Sequence, residues 1–119
     1  MERNRKRWWA AVIACAAVIF FLSVIPTGGG PDVPYLDKAL HLCQYLLFAW
    51  LLVQAIRTGP LQQREYLVLA WMYAASYGLL MEVIQGMLPW RSADWADALA
   101  NAAGAAAGVW VGRRFPKPS

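Results

Sequence analysis

The chain has 119 residues, of which 60% are hydrophobic and 15% charged, against about 45–50% and about 25% in an average soluble domain. This composition excludes a disordered chain. Two cysteines and the lack of a Gly-X-Y period exclude a disulfide scaffold and a collagen-like chain, and the length leaves room for one small domain.

The first element is an uncharged run over residues 8–25, WWAAVIACAAVIFFLSVI. A helix crossing the hydrocarbon core needs about 20 mostly apolar residues, so the run predicts a membrane span. MERNRKR before it looks like the n-region of a signal peptide. The apolar run is too long for an h-region, however, and SVIPTGGG offers no A-x-A-like cleavage site. Pro26, Gly28–Gly30, Pro31 and Pro34 end the span and make an irregular loop. A second span is predicted over 39–56, with Gly59-Pro60 punctuating the loop after it. A third covers 66–88 and stops at Pro89. The fourth, over 95–111, is the weakest, being alanine-rich and containing Asp97 and Asn101. It would insert as a packed member of a bundle rather than alone. Gly104, Gly108 and Gly112 give it two overlapping GxxxG steps. Such small residues let backbones approach, and packing within the chain is favoured over a dimer face, although a homo-oligomer stays open. A soluble bundle would show a charged face on each helix, and these runs show none.

The expected fold is therefore all-α, a single-domain integral membrane four-helix bundle. Nine of the eleven Lys and Arg residues fall in the N-terminal tail, the second loop (Arg57, Arg64) and the C-terminal tail, leaving Lys38 and Arg91 for the other side. This asymmetry puts the N-terminus and the C-terminus both in the cytoplasm. The net charge of +4 then reflects topology and contact with anionic lipid rather than nucleic acid. Trp8, Trp9, Trp90, Trp95 and Trp110 fall near the predicted interfaces as an aromatic belt. Cys15 and Cys43 lie within spans, where no structural disulfide is expected.

In this topology the unusual polar residues share the outer end. Asp37, Lys38 and His41 open the second helix, and Asp37, His41 and Tyr45 share a face at four-residue spacing. Glu82 and Gln85 lie one to two turns below the outer end of the third helix. Arg91 and Asp94 are in the outer loop, and Asp97 and Asn101 share a face of the fourth helix. An ionised carboxylate at mid-bilayer costs about 2.5–3.5 kcal/mol on insertion scales, and less near the interface. The cheapest arrangement turns all three polar stripes inward around one outward-opening pocket. Glu82 is the sharpest of these residues, since in GLLMEVIQGML it needs a partner or a proton. Simpler roles compete with this reading. Glu82 and Arg91 could form a buried pair fixing helix register, Asp94 and Asp37 could be helix caps, His41 could be a packing residue, and Asn101 could bond between helices.

With these motifs in place, the chain resembles the VanZ-like family, named after a teicoplanin resistance protein. The resemblance rests on FLSVIP (S-x-x-P), on DKALHLCQYLLFAWLL (D-K-x-x-H-x-x-x-Y), on E-x-x-Q from Glu82, and on the run from Arg91 to Gly108 (R-x-x-D-x-x-D-x-x-x-N-x-x-G-x-x-x-G). It covers the chain from Phe21 to Gly108. It implies a multi-pass protein of the bacterial plasma (inner) membrane linked to the cell envelope and to resistance against lipoglycopeptides such as teicoplanin, and it leaves the biochemical activity open.

Two functions fit the residues. In the first, the outward pocket, with Trp90 and Trp95 at its rim, binds an amphiphile: a membrane lipid, a lipid-linked wall precursor or a lipoglycopeptide. Lys38 and Arg91 would meet phosphate or carboxylate, while Asp37, Gln85, Asp94 and Asn101 would meet amines or hydroxyls. In the second, the site is an intramembrane hydrolase or transferase acting on a lipid-linked substrate, with His41 as base, Asp97 or Asp37 orienting it, and Glu82 as acid. No nucleophile is evident. No cofactor and no metal are expected, since the spacing matches no zinc template, although a divalent cation held by Asp, Glu and His stays open as a minor variant of the enzyme reading. Polar groups at one end alone make a poor path for a transporter.

Overall fold

The computed structural model describes residues 2–25, 34–89 and 94–113, with the side chains of the second helix from Ala39 onward. Four helices follow one another: α1 (Glu2–Val24), α2 (Pro34–Ile56), α3 (Gln63–Met87) and α4 (Trp95–Gly112). There is no strand among the described residues. Each helix covers nearly all of the run predicted for it: α1 and α3 stop one residue short, at Val24 and Met87, and α1, α2 and α3 start earlier than predicted, α3 at Gln63 rather than 66. α1 begins at Glu2, because Glu, Arg and Lys are good helix formers and no breaker precedes Trp8. Arg3, Arg5, Lys6 and Arg7 are therefore exposed helical residues rather than a tail. α2 begins at Pro34, expected in the loop; the first helical turn tolerates Pro because its missing N–H has no partner there anyway.

Helix ends are set by local bonds. The Gln62 backbone N–H donates to the Glu65 side chain (3.2 Å) at the start of α3. The Leu88 N–H bonds the Gln85 carbonyl (3.2 Å) at its end, with Pro89 immediately after. Between α2 and α3, Thr58 Oγ1 donates to the Ala55 carbonyl (2.6 Å) and the Gly59 N–H to that of Ile56 (3.0 Å).

α1, α2 and α3 are each long and apolar enough to cross a membrane, whereas α4 is not counted among such helices. This matches the weakness read in its sequence. The molecule measures 48 × 23 × 22 Å, enough to traverse a hydrocarbon core of about 30 Å. α2 is the central helix and contributes Tyr45, Phe48, Ala49, Leu52, Val53 and Ile56 to the core. Its largest interface is with α4, and glycine makes it possible. A Cβ on Gly104 or Gly108 would collide with the carbonyl oxygens of Leu42 and Leu46, and one on Gly112 would lie 3.0 Å from Val53 Cγ1. The GxxxG steps thus serve packing within the chain. α1 touches α2 and α3 but, among the described residues, not α4. Its links are the Tyr77 hydroxyl donating to the Ala16 carbonyl (2.6 Å) and Gln85 Nε2 donating to that of Ser23 (3.1 Å). Its other faces show Ile13, Val18 and Phe21 to the surroundings.

Arg57 departs from expectation. It was counted as a loop cation, yet it is buried beside buried Gln54. Its N–H still bonds the Val53 carbonyl (3.0 Å), so the helical path continues one residue past Ile56 and keeps Arg57 on the inward face of α2. Trp8 is also more than a belt residue, since it packs edge-on against Trp50 with ring centroids 5.6 Å apart. Trp110 is capped by the Arg113 guanidinium, 5.6 Å from its ring centroid. Cys15 and Cys43 are both free thiols.

Candidate functional site

The alternating helix directions bring the end of α3 beside the starts of α2 and α4. His41, Glu82 and Asp97 meet there, one from each helix, with one ligand atom from each lying within 4.8 Å of the others. Glu82 and Asp97 are buried and His41 is partly buried. From Glu82 to the end of α3 at Met87 is about 8 Å at 1.5 Å per residue, so the cluster lies within the helical bundle and close to one end.

Local structure aims each member. Asp94 is the N-cap of α4, with Oδ1 accepting from the Ala96 N–H (2.9 Å). The Asp94 N–H donates to Glu82 Oε2 (2.8 Å), tying α3 to the start of α4 across twelve residues of sequence. Asp97 is in the first turn of α4, where a carboxylate is favoured by the helix dipole.

A second layer lies one helical turn further in. Tyr45 follows His41 by four residues, Asn101 follows Asp97 by four, and Gly78 precedes Glu82 by four. These three also meet: a Cβ on Gly78 would lie 2.9 Å from Asn101 Cβ, 3.1 Å from Asn101 Nδ2 and 3.1 Å from Tyr45 Cε1. Tyr45 and Asn101 are each 1% exposed. Among the described residues, the Tyr45 hydroxyl and Asn101 Oδ1 have no hydrogen-bond partner, although buried polar groups are nearly always paired.

The remaining expected site residues divide. Gln85 is buried, but its Nε2 bonds the Ser23 carbonyl of α1, so that contact ties two helices together. Asp94 faces outward, and its side chain acts as the cap. The side chains of Asp37 and Lys38, together with Arg91 and Trp90, lie outside the described residues. Tyr45 and Gly78 were not counted as site residues. Tyr45 could be found from its shared face with His41, whereas Gly78 gives no sequence signal that separates it from other small helical residues.

The recess beside the cluster is small. A cleft of about 70 Å³ is lined by Glu82, Val83, Asp94 and Trp95, far below the roughly 300–1,000 Å³ of a drug-sized pocket. Its accessible surface is apolar and it has room for no more than a few atoms of a ligand; Trp95 stands at its edge as expected. An apolar groove of about 390 Å³ runs between α3 and α4 along Leu67, Trp71, Val109 and Trp110 to Arg113, and it includes none of the expected site residues.

A small all-helical membrane protein, with a histidine and two carboxylates gathered inside one end of its bundle, is the class that this geometry defines. More particularly, the chain belongs to the VanZ-like family: a family model described as VanZ/LLP1 matches residues 5–115, nearly its whole length. No curated protein and no solved structure matches it.

Proposed function

We propose that the chain is a four-span protein of the bacterial plasma membrane with both termini cytoplasmic, and that it binds the polar head of an envelope amphiphile at the outer end of the bundle. The ligand would be an envelope lipid, a lipid-linked wall precursor or a lipoglycopeptide-like molecule, and the binding would underlie any teicoplanin-type resistance. The observation that carries this reading is the meeting of His41, Glu82 and Asp97 from three helices at the end expected to face outward. Polar groups drawn from three spans are costly to hold in a membrane unless they are used. A cleft of about 70 Å³ would admit only a few atoms of a head group and leave the tail outside, where apolar side chains such as Val83 and Leu79 already face the surroundings. Lys38 and Arg91, near this end in sequence, would meet phosphate or carboxylate.

The test is mass spectrometry of lipids retained by the purified chain in nanodiscs made from bacterial envelope lipid. The wild type should enrich one head-group class, and Asp97→Asn, Lys38→Gln and Arg91→Gln should lower that enrichment several-fold. Identical lipid profiles in the wild type and all three variants would sink the proposal. If head-group binding underlies resistance, expression should raise teicoplanin tolerance in the wild type and not in Asp97→Asn.

The closeness of an imidazole to two carboxylates, within 4.8 Å, also supports the second reading, an intramembrane hydrolase or transferase. His41 would take a proton from an attacking water or hydroxyl, Asp97 would orient the imidazole, and Glu82 would protonate the leaving group. Full turnover of a lipid-linked substrate by His41→Ala would end that version.

A further inference from the structure

We propose that His41, Glu82 and Asp97 bind a divalent transition-metal ion such as Zn²⁺ or Mn²⁺. Three donors from three helices already lie within 4.8 Å of one another. Two carboxylates and a neutral imidazole balance a 2+ ion in charge, and such compensation matters most where solvent is excluded. The imidazole nitrogen favours a transition metal over Mg²⁺ or Ca²⁺, which prefer oxygen alone. The spacing along the chain matches no zinc template, because such templates count residues within one segment whereas these donors come from three.

A second, independent observation points the same way. Metal sites need partners behind the donors to fix their orientation. The Asp94 N–H holds Glu82 Oε2, leaving the other oxygen of that carboxylate for the ion. Beneath the donors, the Tyr45 hydroxyl and Asn101 Oδ1 are buried without a partner among the described residues. Helical side chains lean toward their own N-terminus, which for α2 and α4 is the direction of His41 and Asp97. Both groups are therefore placed to bond a donor side chain or a metal-bound water, and the missing side chain of Gly78 leaves the space they occupy. Three protein donors leave a coordination position free for water or another ligand.

The site shares residues with the proposed head-group pocket, but the inference stands without it. The full chain, purified in detergent and stripped with EDTA, is loaded separately with Zn²⁺, Mn²⁺ and Mg²⁺, and retained metal is read by elemental mass spectrometry. The wild type should retain about one Zn²⁺ or Mn²⁺ per chain and no Mg²⁺. His41→Gln, Glu82→Gln and Asp97→Asn should each weaken binding more than about tenfold, and Asn101→Leu or Tyr45→Phe should weaken it about tenfold. The wild-type melting temperature should rise on adding metal, and that of Glu82→Gln should not. Less than about a tenth of an ion per wild-type chain overturns the inference, whatever the variants do. So does undiminished binding in all three donor variants, which would place the metal elsewhere. Metal uptake without head-group enrichment would refute the head-group reading alone, and head-group enrichment by a wild type that retains no metal would refute only the metal.

Discussion

Glu82 holds the start of α4 through the Asp94 N–H and lies against the imidazole of His41 and the carboxylate of Asp97. The two roles can be separated. Glu82→Gln keeps an oxygen for the Asp94 N–H and removes a negative charge beside Asp97, whereas Glu82→Ala leaves that N–H without its acceptor. Losing a partner for a buried donor costs about 1–3 kcal/mol, so Glu82→Ala should lower the melting temperature in detergent and Glu82→Gln should lower it less. Equal melting of the two variants would mean that the hydrogen bond adds no stability. The sequence identified Glu82, Asp97 and His41 because ionisable residues stand out in apolar runs, and it read Asp94 as a cap from local chemistry alone. It could not supply the partners that are backbone atoms. The carbonyl of Ser23 accepting from Gln85 and the N–H of Asp94 donating to Glu82 belong to every residue type and carry no compositional mark.

α4 is the element that hydropathy ranks last, yet it shares the largest interface of the bundle, with α2. Its glycines set α4 against α2 with backbone nearly touching backbone, so Gly104→Ala and Gly108→Ala push a methyl group into the Leu42 and Leu46 carbonyls. Overpacking of this kind costs about 1–3 kcal/mol. Each variant should unfold at clearly lower temperature, while Gly59→Ala, whose Cβ would sit an ordinary 3.4 Å from the Ile56 carbonyl, should match the wild type. Gly78→Ala should also be destabilising, since its methyl group would press on Asn101. Inserted alone between soluble flanks, α4 should fail to integrate into a membrane. Asp97→Leu should raise its integration, because Asp opposes insertion by about 2.5–3.5 kcal/mol at a helix centre and Leu favours it, the effect being smaller near an end. A glycosylation-mapping assay measures both. Helix positions were legible because apolar runs of span length are a strong signal. The starts were not, since neither charged helix formers nor a first-turn proline is visible as helix in a reading by hydropathy.

For the molecule as a whole, hydropathy reports contact with lipid better than contribution to the core. α1 has the highest hydropathy, 2.0, with 17% of its span buried, whereas α2 at 1.7 has 50% buried. α1 rests against α2 and α3 and leaves α4 untouched among the described residues. The lopsided distribution of Lys and Arg predicts that fusions at either terminus report a cytoplasmic location. A reporter active only outside the cytoplasm should therefore stay silent at both ends and respond when placed after Pro89. Activity at both termini would invert the molecule and turn the cluster toward the cytosol. Buried Arg57 adds little to that balance as a surface charge, but it sits at the same end as the other cations, so the prediction keeps its sign. The glycine seam has one more consequence, for how such a sequence can drift over time. Asp97 stands seven residues, about two turns, before Gly104, and Gly104 is locked against Leu42, one residue from His41. Loops can lengthen and lipid-facing side chains can be exchanged without disturbing that alignment. A single inserted or deleted residue between Asp97 and Gly104 would swing the aspartate about 100° around α4 and out of reach of its neighbours. Beyond the seam glycines and the cluster residues themselves, the length of that one short stretch is thus what descendants of this chain must keep.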